Sequence, residues 1–238
     1  MDPRSWSDSR RCLAALGFAA VMLQTLAGGT DSDASVPAAA PAVTPAESAL
    51  EAARPQSAPT WAFSAAVGAY FIPDDREYVQ PTVTADRSRL HLEARYNYEG
   101  LDSGSVWVGY NLGGGGKLTW ELTPMLGGVI GDVAGLAPGY HAGLAWWRLE
   151  LVSEGEFVID TRDTAASFFY VWTELTLSPV DWFRFGLVVQ RTRVWQAERD
   201  VQRGFLLGVA IQRVGLTACV FNPDLERPTV VGFVTLDF

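Results

Sequence analysis

The sequence predicts an all-β fold: a closed antiparallel up-and-down transmembrane β-barrel of about twelve strands, with about ten as the alternative. Three observations carry this expectation. From Thr60 onward the chain is a series of short apolar–polar alternations broken by turn residues, the period-two signature of strands. After residue 30 no run reaches the roughly eighteen apolar residues that a spanning helix needs. The final alternation, Val230 to Phe238, runs directly into an aromatic residue. Phe238, Leu236, Val234, Gly232 and Val230 share one face of it, and Asp237, Thr235, Phe233 and Val231 the other. A soluble sheet seldom leaves such an edge bare, whereas a barrel closed in lipid has no edge.

The expected strands are 61–72, 87–98, 103–112, 117–123, 124–131, 139–152, 156–161, 165–178, 181–195, 202–213, 215–221 and 229–238. With both chain ends on one side of the membrane, connections should alternate between short and long. Short inner turns are expected at Glu99–Asp102, Thr123-Pro124, Ser153–Gly155, Pro179-Val180 and Val214-Gly215. Longer outer loops are expected at 73–86, 113–116, 132–138, 162–164, 196–201 and 222–228.

Alternation alone does not say which face points outward. In 181–195, Phe183, Phe185, Leu187 and Val189 oppose Arg184, Gly186, Val188 and Gln190; in 87–98, Leu90, Leu92 and Tyr96 oppose His91, Glu93 and Arg95. Barrel size decides. Side chains can fill a barrel of about eight strands, but a wider soluble barrel would enclose a large dry void. Apolar groups facing lipid and charged groups facing the lumen remove that difficulty. A soluble β-sandwich could use the same alternation, but export and the terminal Phe238 count against it.

The terminal strand ending in Phe238 resembles that of bacterial outer-membrane β-barrels. The resemblance implies an outer-membrane location, and recognition of Phe238 by the barrel-assembly machinery. Residues 1–27 fit the export this requires: Arg4, Arg10 and Arg11 precede an apolar run from Cys12 to Leu23, and Thr25-Leu26-Ala27 offers small residues for cleavage. Residues 28–59, rich in Ala, Pro, Ser and Thr, read as a flexible periplasmic linker with a possible short helix at 45–53, capped by Thr44 and Glu47. The barrel is 60–238.

The totals exclude some classes. A formal charge of −9 argues against a nucleic-acid partner. Removal of Cys12 with the signal would leave Cys219 alone, so no disulfide is expected. His91 and His141 lie far apart in sequence and belong to no local enzyme or metal motif, so neither catalytic residues, a metal nor a cofactor is expected. Gly113-Gly114-Gly115-Gly116-Lys117 superficially matches a phosphate loop, but Leu118 stands where Ser or Thr should follow; it reads as a turn.

The candidate lumen-lining residues are Glu93, Arg95, Glu121, Arg148, Glu150, Glu156, Asp160, Glu174, Arg184 and Gln190. Opposite charges in a confined interior either cross-link it into a plug or line a channel. Arg191, Arg193 and Arg203 share the lipid-facing parity of Leu187 and Phe205. At the membrane rim their planar forks suit the phosphates of lipopolysaccharide. The leading expectation is a small porin-like protein passing small solutes or ions through a charged lumen. The alternative is a non-conducting barrel, structural or lipopolysaccharide-binding, and a barrel hydrolase is the remote third.

Overall fold

The computed structural model of the chain describes residues 60–73, 75–194 and 199–238. The expected signal, linker and helix at 45–53 lie outside the described residues. Thirteen strand segments follow in order: β1 (Ala62–Phe71), β2 (Tyr78–Arg87), β3 (Leu90–Tyr96), β4 (Ser103–Tyr110), β5 (Leu112–Gly115), β6 (Leu118–Gly131), β7 (Gly135–Trp146), β8 (Leu149–Asp160), β9 (Phe168–Val180), β10 (Phe183–Val194), β11 (Arg199–Ile211), β12 (Val214–Phe221) and β13 (Thr229–Asp237). β4 and β5 are two halves of one stave, interrupted at Asn111, and both pair with β6. The thirteen segments therefore make twelve staves, each antiparallel to its sequence neighbours.

The ring closes where the first and last strands meet. Val67 pairs with Val234, Phe71 pairs with Val230, and the Phe238 N–H donates to the Phe63 carbonyl at 2.9 Å. Closure satisfies every edge, as a lipid environment demands.

Every connection on the side of the chain ends is two residues long: 88–89, 116–117, 147–148, 181–182 and 212–213. Ser88, Trp147 and Gln212 adopt φ of 56°, 54° and 55°, the left-handed backbone that lets a two-residue turn match strand twist. The opposite side carries the longer connections, among them 72–77, 97–102, 161–167 and 222–228.

These turns correct several expected boundaries. All of β2 but its last residue, Arg87, lies within the stretch expected to be an outer loop at 73–86; its Pro81, facing Val67, weakens the strand pattern. Residues 118–131 form one strand, because Pro124 is tolerated opposite Tyr140 at the loss of a single donor. The two errors offset each other, and the count of twelve holds. The turn expected at Ser153–Gly155 is actually Trp147-Arg148. The connection at 97–102 belongs to the long-loop side, while the expected outer loop at 113–116 gives way to a short turn at 116–117 on the opposite side.

The facing of the strands follows the expectation. On β10, Leu187 is 52% exposed and Val188 is fully buried; on the last strand Val234 is 51% exposed and Val231 fully buried. Phe185, Phe205, Leu207, Leu126, Ile130 and Val106 continue the outward belt. Charged groups in the middle and apolar groups on the outside are what a bilayer requires of a barrel.

Candidate functional site

Inward parity brings charged side chains from opposite walls into one lumen. Arg95, on β3, is its hub. Nε donates to Glu93 Oε1 at 2.7 Å, and Nη1 donates to Glu156 Oε2 on β8 at 2.8 Å, with Glu99 Oε1 3.6 Å away. Its guanidinium also lies over the rings of Tyr98 and Trp107, 4.2 and 4.6 Å from their centroids. Trp107 Nε1 in turn donates to Ser105 Oγ at 2.9 Å, and the Ser105 hydroxyl donates to Glu99 at 2.6 Å. Tyr98 donates its hydroxyl to Glu154.

Glycine makes room for this packing. Gly127 pairs with Trp107, and a Cβ there would stand 2.4 Å from the indole. Gly208 lies beneath Arg184 in the same way, with a would-be Cβ 2.7 Å from Nε.

The two histidines also meet. His91 on β3 and His141 on β7 pack edge to face with ring centroids 5.6 Å apart. His91 Nδ1 lies 2.9 Å from Asp86 Oδ1, and its Nε2 lies 3.2 Å from Glu93 Oε2. His141 Nε2 lies 3.3 Å from Arg95 Nη2 and 3.7 Å from both Glu93 Oε2 and Glu154 Oε2. Asn111, at the break between β4 and β5, donates to Asp86 at 2.6 Å and accepts from Thr123 at 2.7 Å.

A second ionic group occupies the other wall. Arg184 donates to Glu174 at 3.1 Å and to Thr217 at 3.0 Å, while Trp172 Nε1 donates to the other Glu174 oxygen at 2.9 Å. Beside it Tyr70, Trp172, Val188, Leu206, Phe221 and Val231 form an apolar core. Trp172 and Phe221 meet edge to face at 5.3 Å. The interior is therefore part ionic lattice and part aromatic core.

Burial measures how full it is. Glu93 and Arg95 are 6% exposed, Glu156 and Arg184 4%, His91 2%, and His141 and Glu174 1%. Water-filled channel walls would leave such long charged side chains far more accessible.

Of the expected lumen residues, Glu93, Arg95 and Glu156 pair in the first group and Glu174 and Arg184 in the second. Glu121, Glu150 and Gln190 are half-buried on inward positions. Arg148 is not on a strand: it occupies the Trp147-Arg148 turn, its guanidinium 5.7 Å from the Trp147 ring. Asp160 ends β8 and accepts from the Arg162 and Asp163 N–H groups at 2.7 and 3.1 Å, holding the following loop. Arg191, Arg193 and Arg203 stand near the long-loop end of the β10–β11 pair, with Arg193 and Arg203 exposed. Sequence reasoning missed Asp86, Glu99, Glu154 and the convergence of His91 with His141.

No protein-family model matches the chain, and no curated protein matches it. Among solved structures it is similar to a chain described as "KdgM porin", with a TM-score of 0.55 and 9% identity, covering 74% of this chain and 99% of that one. At that identity the likeness speaks for the fold. Together with twelve staves closed on themselves, it shows that the chain has the architecture of outer-membrane porin-like β-barrels.

Proposed function

We propose that the protein resides in the bacterial outer membrane as a sealed barrel, a structural and lipid-binding element of the envelope that does not conduct. One observation carries this reading: Arg95, Glu93 and Glu156 join β3 to β8 across the lumen by direct ion pairs and are almost wholly buried. Passive passage of small solutes would require that bridge to part, which means separating charges in a poorly hydrated interior. The porin-like fold is compatible with either state, so the filling of the lumen argues the function.

The outward Arg191, Arg193 and Arg203 favour lipid binding as the more specific role. They stand at the rim on the long-loop side, where phosphates of lipopolysaccharide would meet their guanidinium forks. Catalysis finds less support: His91 is held between the carboxylates of Asp86 and Glu93, leaving neither ring nitrogen aimed at a hydroxyl nucleophile.

Planar-bilayer recording tests the reading. The folded wild-type chain should give a quiet baseline, and Arg95→Ala combined with Glu156→Ala should introduce conductance steps. Regular steps from the wild type would establish passage through the lumen and overturn the sealed reading.

A further inference from the structure

The cluster around His91 carries an inference beyond the sealed lumen. Arg95 faces all three carboxylates of Glu93, Glu99 and Glu156, while Asp86 and Glu154 stand against the two imidazoles. Asp86 Oδ2, Glu99 Oε2 and Glu156 Oε1 are buried without any hydrogen-bond partner. Such an excess of buried anionic oxygen calls for further positive charge.

The orientation of the donor atoms shows where it would sit. With its Nδ1–H donated to Asp86, a neutral His91 turns the Nε2 lone pair toward Glu93 Oε2, 3.2 Å away. Two acceptors at that distance repel each other unless something positive lies between them. Arg95 takes Glu93 Oε1 and leaves Oε2 free to face both rings. His141 Nε2 carries a lone pair where it accepts from Arg95 Nη2 at 3.3 Å, and an ion at this position would take that lone pair in place of the guanidinium. The ligand atoms of His91, Glu93 and His141 all lie within 4.8 Å of one another.

We propose that His91, Glu93 and His141 bind a divalent transition ion of the zinc class inside the barrel. Two imidazoles and a carboxylate form a donor set that suits such ions. Metal–ligand bonds of about 2.0–2.2 Å place tetrahedral ligand atoms roughly 3.3 Å apart, so the 3.2 and 3.7 Å edges need little closure. Asp86 orients His91 through Nδ1, the carboxylate–histidine–metal arrangement. Glu154 Oε2, 3.7 Å from His141 Nε2, is the nearest anionic oxygen for a fourth position. The guanidinium of Arg95 opposes a cation, but it is already shared by the three carboxylates it touches. The ion would tie β3 to β7 across the lumen.

The test is zinc binding by the whole chain, folded in detergent in the presence of zinc and then freed of excess metal by dialysis. Metal analysis should find about one zinc per barrel. His141→Gln and His91→Gln should each abolish retention, and Asp86→Asn should weaken affinity by about 10–100-fold. Glu174→Gln, on the opposite wall, should leave zinc content unchanged. A folded wild type that retains no zinc would overturn the proposal, leaving a His91 imidazolium between the two carboxylates. So would full retention in both histidine variants. If those variants do not fold, cobalt titration of the wild type decides. Visible absorption bands that zinc displaces support the site, and their absence contradicts it.

Discussion

Arg95 on β3 and Glu156 on β8 reach each other across the lumen, with Nη1 and Oε2 2.8 Å apart. Three staves stand between their strands on the shorter way around the ring, so this contact is a strut through the interior and not a neighbour pairing. Removing the guanidinium alone would leave Glu93, Glu99 and Glu156 buried without their cation. Arg95→Met is therefore expected to lower stability by about 3–5 kcal/mol. Urea unfolding in lipid vesicles, followed by the gel shift between folded and unfolded barrel, measures it. A loss below about 1 kcal/mol would show that the strut is dispensable.

Two adjacent glycines test the packing of the lumen against the bare strand. Gly127 lies against the Trp107 indole, whereas a Cβ at Gly128 would meet nothing within 4 Å. Gly127→Ala should cost about 1–3 kcal/mol through overpacking and disturb the near-ultraviolet circular dichroism of Trp107. Gly128→Ala should stay within about 0.5 kcal/mol of wild type. Equal effects at the two positions would refute the close contact.

Leu187 faces outward at mid-strand, more than half exposed, so the membrane must solvate whatever replaces it. Leu187→Arg should destabilise the folded barrel in vesicles by about 2–4 kcal/mol. An arginine tolerated there without measurable loss would mean that this face does not meet hydrocarbon.

The arginine rim gives a lipid-specific expectation. Arg191→Ala, Arg193→Ala and Arg203→Ala together should reduce the lipopolysaccharide that co-purifies with the barrel, while leaving its unfolding in zwitterionic vesicles nearly unchanged. Arg203 is close to Asp224, 3.7 Å away and exposed, a pair too weak to compete with phosphate. Undiminished lipopolysaccharide would reduce the three to ordinary surface charges.

Much of the fold was legible because one face of each strand had to be apolar. On β3, β10, β11 and β13 alternation gives the residues that share a face, and barrel size says which face points inward. Pro81 and Pro124 misled the reading, because ring closure holds both residues in strands that their missing N–H would otherwise discourage. The more consequential miss was a turn. Ser153, Glu154 and Gly155 look like turn residues but lie within β8, while the real turn, Trp147-Arg148, carries no Gly, Pro, Asn or Asp. Read as one strand, 139–152 puts His141 and Glu150 on opposite faces. The turn resets the parity, so both point inward. That reset, with the convergence of β3 and β7 side chains across the lumen, hid the histidine cluster. No local spacing could have revealed it.

The orientation of the wall is most directly tested by nuclear magnetic resonance of the methyl-labelled barrel in detergent micelles. Through-space transfer from acyl-chain protons should reach Leu187, Leu207 and Leu216 and should miss Val188, Leu206 and Val231. Contacts from the acyl chains to Val188, Leu206 and Val231, with none to the first three, would turn the barrel inside out and contradict the account.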